Sequence, residues 1–174
     1  IQNNVSWLTN YNNSLYLTKP LDAPKLNPTS PTSYKNHANF MFQMAARYGN
    51  KTLDNNKIQV NSDQIKKSGL NLLKYYENWN EQNKWWEGRP EFFSPYEYCA
   101  MTSADYDGHE NTVFLENHNN LGIKTADPNA KLVMGGLAGG TLDYIKAMNF
   151  WSKHFRNDKK TPIDVINTHE YFNS

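Results

Sequence analysis

Three apolar runs of strand length, at residues 70–76, 131–135 and 162–169, alternate with segments whose apolar residues recur at helical spacing. That alternation constrains the fold more than any other feature of the chain. Strands separated by helices pair in parallel and are joined by right-handed crossovers. The expected class is therefore α/β, with parallel strands alternating with helices. The first run, Leu70-Asn71-Leu72-Leu73-Lys74-Tyr75-Tyr76, lies between Gly69 and a polar burst and reads as a buried strand.

The helical segments carry their own start and stop signals. Residues 33–48 place Phe40, Met41, Met44, Ala45 and Tyr48 at helical spacing, with Ser33 as N-cap and Gly49 as stop. Ser94-Pro95-Tyr96-Glu97 joins a capping box to a proline at the first helical position, which predicts a helix from Pro95 to about Ala104. Thr141 caps a helix running to about Arg156, with Leu142, Ile145, Met148, Trp151 and Phe155 on one side. Residues 61–67 read as a short helix or turn, and 112–124 as a short helix. Residues 1–32 are rich in Asn, Ser, Thr and Pro and read as a long loop or arm beside a cleft. The main body is then 33–174.

Composition removes several classes of function. The net charge is +1 with no basic stripe, so no nucleic-acid partner is expected. No apolar run is long enough for a membrane span, so no membrane partner is expected. The single cysteine, Cys99, rules out an internal disulfide and a cysteine-built zinc site.

In parallel α/β folds the working residues sit at the carboxyl ends of strands. After the first run comes Glu77-Asn78-Trp79-Asn80-Glu81-Gln82-Asn83-Lys84-Trp85-Trp86. After the second comes Gly135-Gly136-Leu137-Ala138-Gly139-Gly140, and the third ends in Asn167-Thr168-His169-Glu170-Tyr171. A carboxylic acid among tryptophans at a strand end is partly dehydrated, which suits a proton donor. Asn80 can bond a substrate hydroxyl, and Trp85 and Trp86 can form a platform for sugar rings, one packed under the loop and one facing the cleft. Together these suit cleavage of a glycosidic bond, in which a carboxyl group protonates the departing oxygen. Glu77 reads as a strand-end ion pair or a supporting group. Asp107, His109 and His118 raise an alternative, a metal-dependent hydrolase, but their spacing matches no recognised site. Gly135-Gly136 and Gly139-Gly140 lack the Gly-Lys-Ser/Thr of a phosphate loop and read as relief of crowding at a rim.

The run from Tyr76 to Asn83, followed by Trp86, resembles the strand-4 signature of retaining clan A glycoside hydrolases, the β-xylosidase-like members above all. The resemblance covers roughly residues 34–174. It implies a partial (β/α)₈ TIM barrel holding about units three to six, since a whole barrel takes about 250 residues. It implies that Asn80 holds the sugar 2-hydroxyl and that Glu81 is the general acid/base. His169 and Tyr171 match the family's His-x-Tyr element at the end of strand 6. Gln82 stands where the family has proline, and the family's nucleophile lies on a seventh strand that these residues do not include. The reading that follows is a fragment of a retaining hydrolase acting on a β-linked glycoside or polysaccharide. Its expected partners are a carbohydrate substrate and the remainder of its own barrel. No metal and no organic cofactor are expected, and the expected location is extracellular or periplasmic. The alternative in another class is a carbohydrate-binding or truncated barrel module without catalysis.

Overall fold

The computed structural model describes residues 19–23, 25–116 and 121–171. They form four α-helices: α1 (Lys35–Tyr48), α2 (Pro95–Asn111), α3 (Ile123–Ala126) and α4 (Leu142–Phe155). Four short strands lie among them: β1 (Tyr75–Asn78), β2 (Lys131–Met134), β3 (Leu137–Ala138) and β4 (Thr168–His169). β1 pairs in parallel with β2, Tyr75 opposite Lys131 and Asn78 opposite Met134. β3 pairs in parallel with β4, Leu137 opposite Thr168. A single bridge from Val133 to Val165, with the Met134 amide donating to the Val165 carbonyl at 2.9 Å, joins the two pairs.

The expectation of a partial (β/α)₈ barrel is corrected by this architecture. The described residues hold two two-stranded parallel sheets, with strands of four and two residues, and no barrel. The fold is mixed α/β. One reason is local. Residues 70–74, expected as strand, are instead drawn to the end of α1. The amides of Gly69, Leu70, Asn71, Leu72 and Leu73 donate to the carbonyls of Ala46, Arg47, Gly49, Tyr48 and Tyr48, at 2.8–3.1 Å. The last carbonyls of a helix have no partner within it, and this segment supplies one. Gly69 and Asn71 reach those carbonyls from left-handed backbone, at φ 65° and 53°. Leu72 and Leu73 are consequently exposed, not buried. The third run is also interrupted: the Asp164 carboxylate accepts the Leu132 amide at 2.9 Å, so a side chain takes the donor that a ladder would use.

Other expectations hold with shifted boundaries. The capping box at α2 is formed, with the Ser94 hydroxyl accepting from the Glu97 amide and the Glu97 carboxylate accepting from the Ser94 amide. The helix runs past Ala104 and ends in a left-handed turn, with Gly108, His109, Glu110 and Asn111 at φ 65°, 49°, 58° and 60°. The buried side of α1 is His37, Ala38, Met41, Phe42, Ala45 and Ala46, rotated from the stripe read in the sequence. Of the expected side of α4, Met148 and Trp151 are buried while Leu142 and Phe155 are exposed. Of the N-terminal arm, residues 1–18 and 24 lie outside the described residues. Leu21 reaches the core, and the Lys19 ammonium donates to the Arg89 and Phe92 carbonyls at 3.1 and 2.7 Å. No helix among the described residues is long and apolar enough to cross a membrane.

Two-residue periodicity gives the β1–β2 sheet two unlike faces. Tyr76, Asn78, Leu132 and Met134 point into the helical layer and are buried. Tyr75, Glu77, Lys131 and Val133 point the other way and stay exposed or half-buried. Burial of each large apolar side chain contributes about 1.5–3 kcal/mol, so the helical layer fixes which face is inward. Tyr98 of α2 then pins the strand ends. Its hydroxyl donates to the Asn78 carbonyl at 2.7 Å and accepts the Gly135 amide at 2.9 Å.

Candidate functional site

Beyond Asn78 the chain leaves β1 through a constrained loop. Trp79 and Glu81 adopt φ 81° and 48°, a region that costs a non-glycine residue about 1–3 kcal/mol. The loop is held there by the glycine-rich segment after β2. The Glu81 amide donates to the Gly136 carbonyl at 3.0 Å, and the Gln82 amide group donates to the Gly135 carbonyl at 2.9 Å. Asn83 exchanges two bonds with the Ala138 backbone, at 2.9 and 3.0 Å. The buried side chains of Gln82 and Asn83 thus act as struts, and the Trp79 ring packs edge-on against Phe93. A Cβ at Gly135 would stand 2.6 Å from the Gln82 side-chain oxygen and 2.8 Å from the Asn78 carbonyl oxygen, so this close approach requires glycine.

The loop aims the Glu81 carboxylate at β4. Glu81 Oε1 lies 3.0 Å from His169 Nδ1 and also accepts the Tyr171 hydroxyl. An ionised carboxylate only accepts, so His169 Nδ1 is the donor in this pair. The other oxygen, Oε2, accepts from no described residue. Side-chain exposure is 16% for Glu81 and 31% for His169, so both groups are largely covered and keep some contact with solvent. The imidazole lies directly over Gly136: a Cβ there would stand 2.1 Å from Nε2.

The structure therefore brings Glu81, His169 and Tyr171 together from sequence separations of 88 and 90 residues. Asn80 is half-buried beside Glu81, and its amide bonds no described residue. Trp85 and Trp86 form a T-shaped pair, with centroids 6.2 Å apart. Both are open to solvent, at 73% and 51%, which corrects the expectation that one packs under the loop. No ring contact or hydrogen bond joins that pair to the Glu81 group. Glu77, expected as a strand-end ion pair or a supporting group, makes hydrogen bonds and no ion pair among the described residues. Its Oε1 accepts Asn167 Nδ2 at 2.9 Å and the Gly136 amide at 3.3 Å. The available signal was the two-residue alternation that sets Glu77 on the open face.

The alternative metal set is otherwise engaged. Asp107 pairs with Arg156, and His109 Nδ1 lies 2.8 Å from the Ser103 hydroxyl. His118 lies outside the described residues. Among the described residues, no group of three or more His, Cys, Asp or Glu side chains could hold a metal ion.

No protein-family model, curated protein or solved structure matches the chain.

Proposed function

We propose that this chain carries the general acid/base of a glycosidic bond hydrolysis, with Glu81 in that role. The observation that supports it is the convergence of His169 and Tyr171 on one oxygen of Glu81, while the other oxygen accepts from no described residue. In this reading the Glu81 carboxyl protonates the departing glycosidic oxygen and then, as carboxylate, takes a proton from the attacking water. The two donors hold the group in one rotamer. Asn80 is placed to meet a sugar hydroxyl, and the exposed Trp85–Trp86 pair offers apolar faces to neighbouring sugar units. A retaining reaction also takes a nucleophilic carboxylate. Glu77 is tied to Asn167 and Gly136 and is not proposed for that role.

The test is made on the full-length chain, with β-linked oligosaccharides as substrates. Glu81→Gln should lower kcat/KM on substrates with poor leaving groups by about 10²–10⁴-fold. Tryptophan fluorescence should show binding retained. Undiminished turnover in the variant would remove Glu81 from the role. The exposed tryptophan pair also supports a second reading, a sugar-binding module without catalysis. Saturable binding by the wild type with no release of reducing ends would favour that one.

A further inference from the structure

We infer that Glu77 is a positioning residue: it makes no hydrogen bond or ion pair with Glu81, and it sets the place of His169. Its carboxylate oxygen Oε1 accepts from two groups on different segments, Asn167 Nδ2 at 2.9 Å and the Gly136 amide at 3.3 Å. Both fix the imidazole. Asn167 precedes His169 by two residues, and its carbonyl accepts the Leu137 amide at 3.1 Å. Gly136 is the floor under the ring, with no room for a methyl group between them. β1 is not a ladder neighbour of β4. Their site ends meet through side chains alone: Glu77 on Asn167, and Glu81 on His169 and Tyr171. The first bond lies on the supporting side of the second. When Glu77 lets go, Gly136 and Asn167 lose their shared anchor, and the imidazole loses the geometry that aims Nδ1–H at Glu81. The consequence for turnover rests on the function proposed above; the positioning itself does not.

The experiment compares Glu77→Ala, Glu77→Gln and Asn167→Ala with the wild type in the full-length chain. The imidazole nitrogens of His169 are read by ¹H–¹⁵N NMR at about pH 8.5, above the ordinary imidazole titration. In the wild type Nδ1 should carry the shift of a fixed donor. Glu77→Ala and Asn167→Ala should move both nitrogens toward the averaged values of a free imidazole. Glu77→Gln keeps an acceptor oxygen and should restore the wild-type pattern. Hydrolysis should follow in step, falling by about tenfold or more in the first two variants and by little in the third. Asn167→Ala removes only an exposed bond, so it decides the matter if Glu77→Ala does not fold. Unchanged His169 nitrogens in Asn167→Ala and in folded Glu77→Ala would overturn the inference. A wild type that cleaves no β-glycoside would sink the function proposed above, while the nitrogen shifts still decide the role of Glu77.

Discussion

Two polar clusters in this chain differ in how far their groups are used. One gathers around Arg156, the other around Glu81. The Arg156 side chain is wholly buried and makes five hydrogen bonds: two to Asp107, two to Asp158 and one to Ser103, at 2.7–3.1 Å. A guanidinium has five N–H donors, so nothing on it is left for a ligand. Asp107 and His109 belong to this cluster, and their partners are structural. Glu81 is the opposite case. Both of its donors fall on one oxygen, and the other oxygen accepts from no described residue. A saturated cluster holds a fold together, whereas a half-used carboxylate can meet a substrate.

The largest expected effect tests the saturated side. Arg156→Ala would strand Asp107 and Asp158 beside a cavity, and breaking a buried pair from one end costs about 3–5 kcal/mol. Urea denaturation should show a loss at the lower end of that range, because both aspartates keep some solvent contact. Sugar binding measured on the folded fraction should be unchanged. A variant as stable as the wild type would erase the distinction between the clusters.

Gly136→Ala tests the other side and should do the reverse. The three atoms nearest the new methyl group all belong to the far end of the His169 ring, which can swing away. Stability should change by less than about 1 kcal/mol, as expected when the strain is relieved by one side-chain rotation. Turnover should fall by about 10²-fold, the scale of an ångström-sized misplacement. A full loss of stability with turnover per folded molecule intact would put Gly136 in the structural class instead.

How much of this was legible before folding depended on the range of the interactions. The capping box at Ser94 and Glu97 and the helical periods of 33–48 and 141–156 are local and were read directly. Glu81, His169 and Tyr171 were read because strand ends collect functional groups and because the motif carried a resemblance. The expected barrel was not found, because the groups that take up its strands' amides lie more than 20 residues away in the sequence. The Leu70–Lys74 run has strand composition, yet the unpaired carbonyls at the end of α1 bind its amides. The Asp164 side chain takes the Leu132 amide across 32 residues. Arg156 was read only as the last residue of a helix, because its five bonds reach residues as far as 53 positions away. One ring of the Trp85–Trp86 pair was expected to pack under the loop, and both are exposed instead.

The smallest expected effect distinguishes the clusters by their histidines. Ser103 Oγ accepts from Arg156 at 2.7 Å and lies 2.8 Å from His109 Nδ1, to which it can donate its own proton. Burial, followed by the nearby Arg156 guanidinium, lowers the His109 pKa from its ordinary value near 6.5. The folded state therefore binds this proton less readily than the unfolded chain. Stability from this source is complete above about pH 6.5 and declines as pH falls below it, because only the unfolded chain gains the proton. The aspartate and glutamate partners of the cluster, Asp158 and Glu110, are held below their ordinary range and lose their contribution only in more acidic solution. A urea midpoint measured at about pH 7.5 and again at about pH 5.5 should fall for the wild type. It should fall less for His109→Gln, which can accept from Ser103 without titrating. Equal slopes in the two proteins would show that His109 is as open to protonation as a solvated histidine, and the cluster around Arg156 would then be less closed than its five bonds imply.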